Sequence, residues 1–243
     1  MRQQDRSRAD RPYRQRSAWP RGSRQHDGAA RSAATGKGTR VSAAPTIGIA
    51  EQAAALAARL GRATLPKNPI VVYGSSTVRL WPDVPASLGR QDVIPVGFGG
   101  ATLQDCIEFY DLLVRPLAPR LLVVAAGTND IEKRNAGPAE ILALVETLIG
   151  KARRKQPALP VVVLTLKPAP FHGERMPAIR AANALLAEHL PACSAVTLID
   201  IYAAFVNTTD QADPRFYAED LRHLNDVGYA AWNRAIAAGL PPP

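Results

Sequence analysis

The chain has 243 residues, 47% of them apolar, and a net charge of +9 from 30 Lys and Arg against 21 Asp and Glu. That length suits one α/β domain with an appended segment, and no stretch approaches the roughly 20 apolar residues of a membrane span. The charge does not imply a protein-wide basic field for steering anionic partners, because residues 1–45 hold ten Arg and one Lys against three Asp, which is +8 of the total, and the remainder is nearly neutral.

That leader, residues 1–45, is rich in Arg, Ser and Gly and almost free of aliphatic side chains. It cannot bury enough apolar surface to offset its ordering entropy, so disorder is expected there, with a folded domain over 46–243. Such a segment fits an inert extension, an arm for nucleic acid or anionic surfaces, or an organelle transit peptide. The "GKGT" within it is no phosphate loop, since glycine rather than Ser or Thr follows the lysine and no strand precedes it. The N-terminus lacks the apolar core of a secretory signal, which makes the cytoplasm the expected location.

Regular patterning begins after residue 45. "IGIAEQAAALAARLGR" carries helical spacing and ends near Gly61. "NPIVVYG" is a short apolar run bounded by Pro and Gly, hence a buried strand, and "DVIPVGFGG" is a second strand weakened by Pro95. "ATLQDCIEFYDLLVRPL" is a helix, "RLLVVAAG" a third strand, and "GPAEILALVETLIGKARRK" a helix that starts on Pro and ends basic. "LPVVVLTLKP" is a fourth strand, "ERMPAIRAANALLAEHL" a helix, "AVTLIDI" a fifth strand and "NDVGYAAWNRAIAAGL" the last helix. Strands that are continuous apolar runs, alternating with helices, mark a parallel sheet buried on both faces. Right-handed crossovers make this a three-layer α/β/α sandwich, with its site outside the carboxyl ends of the strands.

Every polar motif falls at that edge. Ser75 and Ser76 follow the first strand, "GFGGAT" the second, "GTND" the third, "KPAPFHGERM" the fourth, and "EDLRHLN" the fifth. A serine nucleophile needs a base, a group to orient the base, and donors for an oxyanion. Asp220 and His223, spaced i, i+3 in "DLRH", can lie on one side of a turn as orienter and base. Taken singly, a DxxH is more often a surface histidine near a helix start. Asn129 can donate an amide N–H from the end of a buried strand, or merely cap a helix. Gly100 can offer a backbone N–H where a side chain would obstruct, or simply turn the chain. Dinucleotide binding does not fit "GFGGAT", whose glycine spacing is wrong. Cys106 and Cys193 form no metal-ligand or disulfide pattern and read as small core residues. Asp130 reads as structural, Arg79 and Trp81 as a packing and cap pair, and "NTT" at 207–209 as a loop without glycan.

Together these blocks resemble the SGNH, or GDSL-type, esterase/lipase superfamily: "YGSSTVRLW" with Ser76, "GFGGAT" with Gly100, "GTND" with Asn129, and "DLRH" with Asp220 and His223. The match covers about residues 68–238. The sequence also looks like a subgroup with "GSSxxRLW" in the first block and a Lys-Pro, here Lys167 and Pro168, after the fourth strand. One departure is Ser75, where the family's Gly-Asp-Ser has Asp, which is not a triad member there. The α/β-hydrolase elbow does not fit, because Val78 stands where its second glycine is required. The resemblance implies a flavodoxin-like fold with a five-stranded parallel sheet and a serine esterase acting on a small-molecule ester without metal or organic cofactor. Its expected triad is Ser76, His223 and Asp220. Its expected oxyanion hole is the N–H groups of Ser76 and Gly100 with the Asn129 amide. Acyl selectivity is expected in loops 131–137 and 168–177, too short for a lid, which favours short acyl groups. A carbohydrate deacetylase or lysophospholipase-like enzyme shares the same machinery. A non-catalytic interaction protein would work through the leader, and beyond the leader no nucleic-acid partner is expected. The sequence carries no signal of oligomeric state.

Overall fold

The computed structural model describes residues 47–241; the basic leader and the expected boundary at residue 45 lie outside the described residues. The elements in chain order are α1 (Ile49–Arg62), β1 (Ile70–Gly74), α2 (Ser76–Arg79), α3 (Val84–Leu88), β2 (Val93–Gly97), α4 (Leu103–Leu113), β3 (Leu121–Ala125), α5 (Thr128–Arg134), α6 (Pro138–Arg153), β4 (Val161–Leu164), α7 (Met176–His189), β5 (Val196–Ile199) and α8 (Asp226–Gly239). The five strands form one sheet in the order β2-β1-β3-β4-β5, and every pairing is parallel.

The continuous apolar runs follow from burial on both faces. Successive side chains of a strand point to opposite sides. Val71 and Tyr73 of β1, Leu122 and Val124 of β3, and Val161 and Val163 of β4 pack into one core with apolar residues of α1, α4, α6 and α7. Ile70 and Val72, Leu121 and Val123, and Val162 and Leu164 pack into a second core with residues of α3 and α8. Pro95, which cannot donate to a ladder, is tolerated because β2 is the edge strand. The α4 start is fixed by a capping box in which Thr102 Oγ1 accepts from Asp105 N (3.1 Å) and Asp105 Oδ2 accepts from Thr102 N (2.8 Å).

Two expectations are corrected. Residues 128–134 form helix α5 rather than an open loop over 131–137. Their helical reading was hidden because polar Asn129, Asp130, Glu132 and Lys133 break the apolar periodicity. Cys106 is fully buried as expected, but Cys193 is only partly buried at the α7–β5 connection; both are free thiols.

The sheet's carboxyl edge is tight where β1 and β3 end side by side. A β-carbon on Gly74 would collide with the carbonyl carbon and oxygen of Ala125, its register partner. Gly74→Ala is therefore expected to lower stability by about 1–3 kcal/mol, the usual cost of overpacking a closed site. Urea denaturation would show this as a reduced midpoint at unchanged slope; a midpoint equal to wild type would show that the strands can separate without cost.

Candidate active site

In this strand order the chain leaves β1 toward one edge of the sheet and β3 toward the other, which opens a crevice at their carboxyl ends. Ser76 stands there as the first residue of α2, immediately after Ser75. The Ser75 carbonyl accepts from Val78 N (3.1 Å) and Arg79 N (3.0 Å), which closes the turn; among the described residues Ser76 N–H has no backbone partner. Helix α8 holds this turn from behind: Tyr229 donates its hydroxyl to Thr77 O (2.9 Å), and Trp81 donates Nε1–H to Asn233 Oδ1 (2.8 Å). Trp81 is buried edge-on against Trp232, as a packing residue should be, whereas Arg79 is exposed, so the expected pair is half right.

Asp220 and His223 come from the turn before α8. Tyr217 and Leu224 bridge its base, Ala218 N donates to His223 O (2.8 Å), and Leu221 takes a left-handed φ of 54°. His223 Nδ1 lies 2.5 Å from Asp220 Oδ2, and His223 Nε2 lies 3.2 Å from Ser76 Oγ. A carboxylate only accepts, so Nδ1 carries the proton and Nε2 is left to accept from the serine hydroxyl. Partial burial pushes the Asp220 carboxyl up, but donation from the His223 and Arg222 amides and from the imidazole outweighs it and holds the pKa at about 2. This carboxylate stays ionised across the neutral range.

Gly100 and Asn129 face the same crevice edge. Gly100 has a φ of 76° and a backbone N–H that takes part in no hydrogen bond among the described residues. A β-carbon there would lie 2.6 Å from Lys133 Nζ, which donates to the Gly100 carbonyl. Asn129 is buried in the first turn of α5 and donates one amide hydrogen to Ala101 O (2.8 Å), which orients the amide and leaves its second N–H available. The Asp220–His223–Ser76 chain of hydrogen bonds is an arrangement that can take a proton from a hydroxyl. Among the described residues no group of three or more His, Cys, Asp or Glu side chains is placed to hold a metal ion.

The sequence profile of the GDSL-like Lipase/Acylhydrolase family matches residues 70–231, which span every strand and Ser76, Gly100, Asn129, Asp220 and His223. The chain belongs to that family. GDSL-like solved structures share its architecture. A GDSL-like lipase from Bacteroides thetaiotaomicron aligns at 20% identity over 76% of this chain and 95% of its own, with a TM-score of 0.65. The lipase/acylhydrolase from Enterococcus faecalis aligns at 22% over 70% and 94%, with a TM-score of 0.54. A carbohydrate esterase family 3 protein from Talaromyces cellulolyticus aligns at 17% over 70% and 95%, with a TM-score of 0.55. No curated protein matches the chain. Membership in the GDSL-like family makes this a hydrolase of the acyl-ester class, and an α/β one with a five-stranded parallel sheet.

Several residues at this GDSL-type site carried no signal in the sequence. Gln52 of α1 reaches across to accept from Gly99 N (2.8 Å), bracing the turn that ends in Gly100. Arg222, inside the quoted "DLRH", pairs with Glu132 of α5 (2.8 Å) and stacks on the Phe171 ring at 3.7 Å. Nothing in the local pattern distinguishes such residues from solvated polar positions, because their partners are distant in sequence.

Asp130, beside Asn129, is structural as expected. It is fully buried, and its Oδ2 accepts from Leu103 N (2.7 Å) at the α4 N-terminus, while Oδ1 has no hydrogen-bond partner. Burial raises its pKa to about 6, in spite of the donated amides and the Arg134 charge. A carboxyl whose folded pKa lies above its unfolded value of about 4 costs stability as pH rises between the two. Asp130→Asn is therefore expected to gain stability relative to wild type as pH goes from about 4 to about 6, with a constant difference above. Melting temperatures at pH 4, 5, 6 and 8 would reveal this, and parallel curves for the two proteins would contradict it.

Proposed function

We propose that the protein is a serine esterase that cleaves carboxylic esters of short acyl chains through an acyl-enzyme. The observation that carries this reading is the continuous hydrogen-bonded path from Asp220 Oδ2 through His223 to Ser76 Oγ, at 2.5 and 3.2 Å. In the first half-reaction Ser76 Oγ attacks the ester carbonyl carbon while its proton passes to His223 Nε2. Asp220 fixes the imidazole tautomer and stabilises the imidazolium. The carbonyl oxygen, now negative, takes hydrogen bonds from Ser76 N–H, Gly100 N–H and the free Asn129 amide hydrogen. Collapse expels the alcohol, which takes the proton from His223. Water then attacks the acyl-enzyme with His223 again as base, and the acid leaves.

Preference for short acyl groups rests on the short connections that follow β3 and β4. The small cavity lined by Ser75, Thr77, Thr165, Lys167 and Trp232 among others does not include Ser76 or His223 and does not bear on acyl length.

An ester panel of increasing acyl length, run on wild type and on Ser76→Ala, tests the reading. Ser76→Ala is expected to abolish hydrolysis, while Ser75→Ala keeps most of it, since Ser75 contributes its backbone to the turn. An organophosphonate adduct mapped to Ser75 would reverse the assignment. Asn129→Ala is expected to reduce kcat by roughly 10²–10³, the usual loss for one oxyanion donor, with KM little changed. A raised KM at constant kcat would instead make Asn129 a ground-state binder.

A further inference from the structure

Lys167 is the unusual charge of this molecule. Its Nζ donates to the carbonyl of Arg222 (3.1 Å) and more weakly to that of Pro168 (3.4 Å), and it lies 4.7 Å from the centre of the Tyr217 ring. Among the described residues no carboxylate lies within ion-pair distance of it. A half-buried ammonium without a counter-ion is costly, so its retention beside the site calls for a role. Arg222 is the residue between Leu221, with its left-handed backbone, and His223; its amide and that of His223 both donate to Asp220 Oδ1. The far side of the same turn is held by the Arg222–Glu132 pair and by Phe171 N donating to Leu221 O (3.0 Å). Lys167 therefore grips the backbone of the turn between Asp220 and His223, the residue that meets Ser76.

We propose that Lys167 is a positioning residue whose ammonium, bound to the Arg222 carbonyl, holds the Asp220–His223 turn in register with Ser76, and that this hold weakens when the ammonium loses its proton. The inference rests on the esterase reading for its kinetic arm only. The groups facing Lys167 set when this weakening occurs. Desolvation lowers its pKa to about 7, the Asp220 charge opposes this, and the Arg222 charge adds to it. His172 feels the same cluster: burial first, then the charges of Lys167, Arg222 and Arg175, lower it to about 4, so it is neutral throughout the range in question. Burial raises the Tyr217 hydroxyl, which donates to Pro168 O, so it stays protonated too. Ser75 lines the same small cavity as Lys167 and supplies no charge to it. An ammonium donates to a carbonyl more strongly than the neutral amine does, so the contact weakens as pH rises through the pKa. The turn is thus held below about pH 7 and loosens above it.

Two variants and one activity-independent readout test this. In wild type, kcat on a neutral ester is expected to fall on the alkaline side with KM nearly constant. Lys167→Met, similar in length and uncharged, is expected to lower kcat by about tenfold at its optimum, as for loss of one charge-assisted hydrogen bond, and to lack that alkaline limb. Ser75→Asp places a carboxylate on the shared cavity and is expected to move the limb up by about one pH unit or more. Hydrogen-exchange protection of the Arg222 and His223 amides should fall over the same pH interval in wild type and be low at every pH in Lys167→Met. An alkaline limb unchanged in both variants, or protection that is flat with pH in wild type, overturns the inference. Should Lys167→Met fail to fold, the wild-type exchange profile and Ser75→Asp still decide it. If no ester is hydrolysed at any pH, the esterase reading fails, while the exchange profile continues to report on Lys167 by itself.

Discussion

A sheet that is apolar on both faces must be covered on both, and that demand arranges everything else in this molecule. Parallel strands require a crossover after each one, and the crossovers place every strand's carboxyl end on the same edge. Residues that are far apart in the chain are thereby delivered to one line: Ser76 after β1, Gly100 after β2, Asn129 after β3, Lys167 after β4, and Asp220 with His223 beyond β5. The reversal of direction between β1 and β3 supplies the opening, and the missing side chain at Gly74 lets the two strand ends approach closely enough to share it. The chemistry is built from side chains on short turns, while the precision comes from the hydrogen-bonded ladder beneath them.

Two aspartates near the site show how environment rather than residue type assigns a role. Asp220 is half exposed, and three donated hydrogen bonds outweigh its partial burial and keep it ionised. Asp130 is inaccessible and has one oxygen without a hydrogen-bond partner, so burial pushes it toward the neutral form. The first holds the His223 imidazole; the second anchors the start of α4, beside Ala101, whose carbonyl orients Asn129.

The strands, their parallel arrangement and the edge on which the site lies were all legible in the sequence, since apolar runs such as "VVY" and "LLVV" report burial on two faces without reference to anything distant. The grouping of Ser76, Asp220 and His223 was legible because each stands in a short motif at a strand end. What the sequence did not reveal is of another kind. Helix α5 is short and mostly polar, so its period is weak. Gln52, Arg222 and the grip of Lys167 depend on partners 47, 90 and 55 residues away. Long-range polar contacts leave no periodic trace, and Arg79 was misjudged for the related reason that exposure is settled by the surroundings rather than by the adjacent tryptophan.

The clamp that α8 places on the serine turn has a consequence for how the site comes into being. The contacts from Tyr229 to Thr77 and from Trp81 to Asn233 each close a span of 152 residues, and His223 meets Ser76 across 147. Pairings at such separation are among the last to become favourable, because the entropy of closing so long a chain must be met before they return anything. During synthesis the strands from β1 to β4 emerge before any residue of α8 exists. The Ser76 turn is made early and finished late, so that a growing chain displays a serine that has neither its histidine nor its brace.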